Sequence, residues 1–127
     1  VESKRLLPDS GGAGAARGGL GQTVVLRNDS EHELTVLAMA NRTDYAAKGL
    51  DGAGDGQVRS LELNGKSIDP KGRHRLQPGD RLTLVEAGGG GYGDPKQRPR
   101  EAVREDLRSG FISEKAAREV YGLDETA

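Results

Sequence analysis

The chain has 127 residues, with 19 Lys and Arg against 20 Asp and Glu, a net charge of -1, and neither Cys nor Trp. That length suffices for one domain, the balanced charge argues against nucleic acid or an anionic membrane as main partner, and the lack of Cys excludes disulfides, thiolate metal sites and a Cys nucleophile. With one Phe and three Tyr, the core has to be built from Leu, Val, Ile and Ala, and it is small.

No apolar run reaches the roughly 20 residues that span a bilayer, and no signal peptide is visible, so the expected compartment is the cytoplasm. The chain opens on Val1 and reads as a piece of a longer polypeptide or a processed product.

In chain order, residues 2–7 are suited to a short edge strand. Residues 8–21 (PDSGGAGAARGGLG) cannot bury a row of side chains and form a loop. Residues 22–27 (QTVVLR) read as a strand through their β-branched content. Residues 28–31 are a turn cluster, and 33–40 (ELTVLAMA) are the most apolar stretch, so 22–27 and 33–40 are expected to form a hairpin. A second glycine-rich loop covers residues 41–56. Residues 57–63 (QVRSLEL) alternate as a strand, and Asn64-Gly65 is a type I′ hairpin signal before a return strand beginning at Ser67 and Ile68. Residues 73–76 form a further short strand, Pro78 and Gly79 mark a tight turn, and 81–86 (RLTLVE) alternate again. A third loop, AGGGGYGD, spans residues 87–94.

Beyond Pro95 the period becomes helical. Pro99 suits a first helical turn and Glu101 its positive end; Ala102, Val103 and Leu107 share one side, and Gly110 stops the helix. Ser113 is an N-cap for a second helix whose apolar face is Ala116, Ala117, Val120 and Tyr121, with Gly122 at its end. The fold class is therefore mainly β, a small sheet or sandwich-like domain with glycine-rich loops and two short C-terminal α-helices. Residues 1–93 form the glycine-rich β domain and 94–127 a helical tail, as one structural unit.

Most catalytic and ligand motifs fail. Gly65-Lys66-Ser67 resembles the end of a P-loop, but Ser60 stands where its first Gly is required, and no G-x-G-x-x-G is present. Asp51 and Asp55 lack the carboxylate density of a calcium loop. His32 and His74 have no second ligand at metal spacing. Ser10, His74 and Asp94 make a triad only on paper, without a nucleophile elbow. The glycine loops have two readings: backbone that approaches a ligand and points N–H groups at an anion, or tight connections needing positive φ. Five glycines around one Tyr in residues 87–94 exceed the needs of a turn and suggest a lid or interface clamp.

Taken together, several segments resemble one family. Asp9-Ser10-Gly11-Gly12-Ala13-Gly14 followed by Arg17-Gly18-Gly19-Leu20-Gly21 resembles the D-S-G-G-x-G-x-x-R-G-G-x-G segment of the hydantoinase B/oxoprolinase family. Gly88-Gly89-Gly90-Gly91-Tyr92-Gly93-Asp94-Pro95 resembles its G-G-G-G-Y-G-D-P motif. Between them stand Leu63-Asn64-Gly65, Lys71-Gly72 and Leu76-x-Pro78-Gly79-Asp80 in the family's order. The stretch from Arg98 to Gly122 resembles its terminal segment through Pro99, Val103, Asp106, Gly110, Ile112, Ser113, Ala117 and Tyr121. Ala16 and Ala87 depart from the family pattern, which has an aromatic and a Pro there, and Asp44 and Tyr45 replace basic and Trp residues.

The resemblance implies the C-terminal part of a B-type subunit of an ATP-dependent enzyme that opens a cyclic amide or carboxylates a ketone. Its partners would be the remainder of that subunit and an ATP-binding A-type subunit. ATP and a divalent metal are implied for the whole enzyme, with no cofactor bound by this chain. The candidate contact residues are Gly88, Gly89, Gly90, Gly91, Tyr92, Gly93 and Asp94, with Tyr92 as a positioning aromatic and Asp94 as an orienting or capping carboxylate. Asp9, Ser10 and Arg17 form a second group, Arg17 being suited to a phosphate or carboxylate. A non-catalytic assembly module is the alternative.

A small core and the backbone entropy of 20 Gly make this chain marginal by itself. Circular dichroism and thermal melting of the chain alone should give a broad, low-temperature transition; a cooperative melt at high temperature would contradict it.

Overall fold

The computed structural model describes residues 1–123. Seven strands, β1 (Ser3–Leu6), β2 (Gln22–Arg27), β3 (Leu34–Met39), β4 (Ser60–Leu63), β5 (Lys66–Ser67), β6 (Lys71–Leu76) and β7 (Arg81–Val85), precede a single 3-10 turn (Pro95–Gln97) and the helices α1 (Arg100–Arg108) and α2 (Glu114–Glu119). The strands form two antiparallel sheets, one in the order β1-β2-β7-β4-β5 and one of β3 and β6 alone.

The side chains that the two-residue period turns inward meet between the sheets. Ala38, Ala40, Leu61, Leu76 and Leu82 are buried there, with Leu26, Val36, Leu63, Ile68 and Leu84 packed against them. A second cluster holds the helices. Val103 and Ala117 are buried with Ile112, Tyr121 and Leu123, and Ala13 of the first glycine-rich stretch packs against them.

Local signals explain the ends of elements. Asn64 and Gly65 both adopt positive φ, 50° and 83°, as the two-residue β4–β5 turn demands. Gly79 has φ 85° in the tight turn that Asp80 closes by donating its N–H to the Gln77 carbonyl at 3.0 Å. The Ser113 hydroxyl accepts from Ala116 N–H at the start of α2, and Gly110 and Gly122 follow the two helices in left-handed conformations. Pro99 occupies the N-cap of α1.

Three expectations are corrected. Residues 22–27 and 33–40 do not form a hairpin: β2 lies between β1 and β7, while β3 pairs with β6 in the other sheet. The connection between them is long enough to change sheets, and buried Asn28 secures the corner by donating from Nδ2 to the carbonyls of Leu76 and His32, both at 2.9 Å. The strand read over 57–63 is shortened to β4, because Gln57 and Arg59 give their N–H groups to the carbonyls of Ser10 and Arg42 instead. Val120, placed on the buried face of α2, is exposed.

The glycine-rich stretches are loops, as read, but they are not separate: residues 10–21, 47–57 and 87–93 lie side by side as a layer held by backbone hydrogen bonds. Gly12 N–H reaches Gly89 O at 2.8 Å, Gly89 N–H reaches Gly19 O at 2.9 Å, Gly54 N–H reaches Ala13 O at 2.7 Å, and Gly91 N–H reaches Gly54 O at 3.1 Å. Most of these glycines do not have positive φ. What they supply is the absence of a side chain: a Cβ on Gly18 would overlap the Gly89 carbonyl, one on Gly88 that of Ser10, and one on Gly12 that of Gly54.

Gly19, by contrast, has nothing near its missing Cβ. Gly18→Ala should therefore destabilise by on the order of 4 kcal/mol or prevent folding, whereas Gly19→Ala should be neutral or stabilising by about 0.5 kcal/mol. Denaturant titration of the two variants side by side checks this; equal effects would refute the packing argument.

Candidate functional site

The glycine layer brings the candidate residues into one region but gives them different surroundings. Gly88 and Gly91 are buried within it. The N–H groups of Gly88, Gly89, Gly91 and Gly93 are taken by the carbonyls of Gln57, Gly19, Gly54 and Leu50. An anion cradle needs those donors unoccupied, so these glycines act here as packing surfaces.

Tyr92 differs from its neighbours. Its backbone is clamped on both sides, exchanging hydrogen bonds with Ala16 at 2.9 Å each way, while Leu50 bridges the flanking Gly91 and Gly93. Tyr92 is 56 % exposed, and Leu50, whose backbone bridges its neighbours, is exposed as well, at 62 %. A rigid backbone thus presents an aromatic ring outward, and the phenol has no hydrogen bond to another described residue. Asp94, two residues on, caps the 3-10 turn: its Oδ1 accepts from Lys96 N–H at 2.9 Å.

The second group is engaged internally. Ser10 is fully buried; its hydroxyl donates to Leu7 O at 2.6 Å and accepts from Gly21 N–H at 2.8 Å. Asp9, at φ 62°, accepts from Ser113 N–H at 2.8 Å, tying the first glycine stretch to α2. Arg17 Nε donates to Asp106 Oδ2 at 3.0 Å, its Nη1 donates to Gly18 O at 2.8 Å, and its guanidinium stands 5.6 Å from the Phe111 ring centre.

Asp106 is the residue whose role the sequence did not disclose. It is buried on α1 between two guanidiniums, with Arg98 Nη2 at 3.1 Å from the same Oδ2 that Arg17 contacts. Arg98 also donates to Ala15 O at 3.1 Å. This group joins the glycine layer to the helices, and Tyr121 lies against it. Burial pushes the Tyr121 phenol above its ordinary range, against the nearby Arg98 and Arg17 charges, so the ring is held neutral. Ion pairs between positions 17 and 106 leave no local pattern in a sequence, which is why only membership of the family motif marked them.

Among the described residues no group of three His, Cys, Asp or Glu converges. Asp55 accepts from Gly49 N–H at 2.8 Å and from Lys48 at 3.3 Å, which hold its carboxyl below the usual range. His74 Nε2 lies 2.7 Å from Asp69 O. No helix among the described residues is long and apolar enough to cross a membrane.

Known proteins resemble this chain in sequence and fold. A family model described as hydantoinase B/oxoprolinase matches residues 1–95. The chain is 35 % identical to the beta subunit of the caprolactamase of Pseudomonas jessenii, over 93 % of its own length and 22 % of that protein. It is 31 % identical to a protein of Pseudomonas sp. strain NS671 described as the B subunit of a D-/L-hydantoinase, over 97 % and 22 %. The crystal structure of the ATP-dependent caprolactamase from P. jessenii superposes with a TM-score of 0.80 at 30 % identity, covering 100 % of this chain and 24 % of that one. A nucleotide-free acetone carboxylase superposes at 0.74 with 19 % identity, over 96 % and 21 %, a likeness of fold. The chain therefore spans about a fifth of the length of the relatives it matches.

Removing the buried carboxylate between two largely covered guanidiniums leaves them uncompensated. Asp106→Asn should cost about 3 kcal/mol, while Glu105→Gln, which alters only exposed contacts with Arg108 and the Ser109 hydroxyl, should leave the unfolding midpoint unchanged. Urea titration of both variants, followed by circular dichroism, makes the comparison.

Proposed function

This chain belongs to the hydantoinase B/oxoprolinase family, and from that premise we propose that it is the C-terminal region of a B-type subunit in an ATP-dependent enzyme that opens a cyclic amide. The observation that carries the reading is the likeness to caprolactamase, at 35 % sequence identity to its beta subunit and at a TM-score of 0.80 in fold. Ketone carboxylation is the less favoured reaction, since its support is a likeness of fold at 19 % identity.

In this role the chain supplies no metal or nucleotide ligands of its own. ATP and a divalent metal belong to other parts of the assembly: an A-type subunit and the remainder of the B-type subunit, in the cytoplasm. The glycine layer is a rigid wall, and Tyr92 is its contact residue, a positioning aromatic for substrate or for the chain segment that holds it. Asp94 keeps the turn after Tyr92 in shape. The reading of the chain as a purely structural module is favoured by one set of observations: Asp9, Ser10, Arg17 and Asp94 each place a side-chain polar atom in an internal bond.

Tyr92→Ala in the complete enzyme separates the two. Removing the positioning ring should lower turnover of a lactam or hydantoin with ATP by roughly tenfold to a hundredfold, with the assembly unchanged in sedimentation. Unchanged turnover, or a dissociated complex, would favour the structural module.

A further inference from the structure

We propose that the outer face of the β3–β6 sheet, with the free backbone edge of β3, docks an extended segment carrying acidic and apolar side chains, supplied by the part of the B-type subunit outside these 127 residues. The inference rests on the proposed role of this chain within a larger subunit.

The register sets out the face. Residues directly opposite in an antiparallel pair point to the same side, so Leu37 lies beside Arg73, Met39 beside Lys71 and Thr35 beside Arg75, all turned away from the core that holds Ala38 and Leu76. Leu37 is 67 % and Met39 78 % exposed, on the stretch that the sequence marks as its most apolar. Arg75 has Glu33 at 3.6 Å, but neither Lys71 nor Arg73 has a carboxylate partner among the described residues. Two large apolar side chains framed by unneutralised cations fit a partner that brings both apolar groups and carboxylates.

The backbone adds a second argument. A sheet of two strands is marginal in water, and β3 has a hydrogen-bonded neighbour on one side only among the described residues. Such an edge accepts a further strand. Alongside it runs an apolar cleft of about 270 Å³ between the sheets, lined by Leu26, Val36, Leu61 and Leu84 and bordered by the Arg59–Glu86 ion pair. The Arg59 Nε is buried there without a hydrogen-bond partner among the described residues. A second copy of this chain is disfavoured as occupant, because stacking the face on itself would oppose Lys71, Arg73 and Arg75 to like charges. The relatives, of which this chain spans about a fifth, have the additional polypeptide the face requires.

The test is a lysine footprint of the native assembly, purified from its source through a tag on this polypeptide. Acylation with an N-hydroxysuccinimide acetate should modify Lys71 roughly tenfold or more slowly than exposed Lys66, as for an amine excluded from solvent within an interface. Carbodiimide coupling followed by peptide mass spectrometry should join Lys71 to an Asp or Glu outside residues 1–127. Lys71 labelled as fast as Lys66, or coupled to a second copy of this chain, overturns the inference. An assembly that turns over lactam with Lys71 fully labelled removes the docking face alone. A chain found with no further polypeptide removes both the face and the proposed function.

Discussion

Backbone lying directly on backbone is the constraint on which the rest of this molecule depends. In an ordinary core, chains are kept apart by the side chains they bury, and apolar area supplies the stability. Across residues 10–21, 47–57 and 87–93 the spacing is too small for a single Cβ at Gly12, Gly18, Gly56 or Gly88. Stability in that layer comes from peptide hydrogen bonds, each worth about 1 kcal/mol net, set against glycines that lose more backbone entropy on ordering than any other residue. Such a layer cannot hold itself together, and the remaining elements form a frame around it.

That frame has two sides with different physics. On one side the five-stranded sheet continues into the layer, with Gly21 and Glu86 at the ends of β2 and β7 drawn close together. On the other, the helices attach through polar groups as well as through Ala13. Asp9 receives the N–H of Ser113, and Asp106 gathers Arg17 from the layer and Arg98 from the turn before α1. A buried carboxylate between two guanidiniums contributes little to stability beyond what an apolar cluster would. It does fix one register of helix against layer, which apolar contacts to a featureless glycine surface do not.

The ordinary elements were legible in the sequence because their signals are local. Asn64-Gly65 demanded a turn with two positive φ angles, Ser113 a helix start, Gly110 and Gly122 helix ends, and each is present. The sheet assignment of β3 was not legible, since apolar alternation specifies a face to bury and not the strand that will cover it. Nor was the glycine layer. Composition marks glycine as a loop former, and the need for missing side chains appears only when distant stretches are brought together. The candidate site divides along the same line. Tyr92 was identifiable as one aromatic among glycines, whereas Ser10 and Arg17 looked available and are occupied by partners 11 and 89 positions away.

A rigid layer in which the N–H groups of Gly88, Gly89, Gly91 and Gly93 are already bonded narrows what these residues can do in catalysis. Positioning within a few tenths of an ångström requires supporting atoms that do not move, and the clamped backbone on either side of Tyr92 meets that requirement better than a mobile lid. The same clamping occupies the N–H groups of Gly88, Gly89, Gly91 and Gly93, which are then not open to an anion. Under the proposed role, charge stabilisation and activation of the amide must therefore come from outside these residues, and the chain's share is shape: a fixed wall, one projecting ring, and an unfinished sheet edge through which it is joined to the part that carries the chemistry.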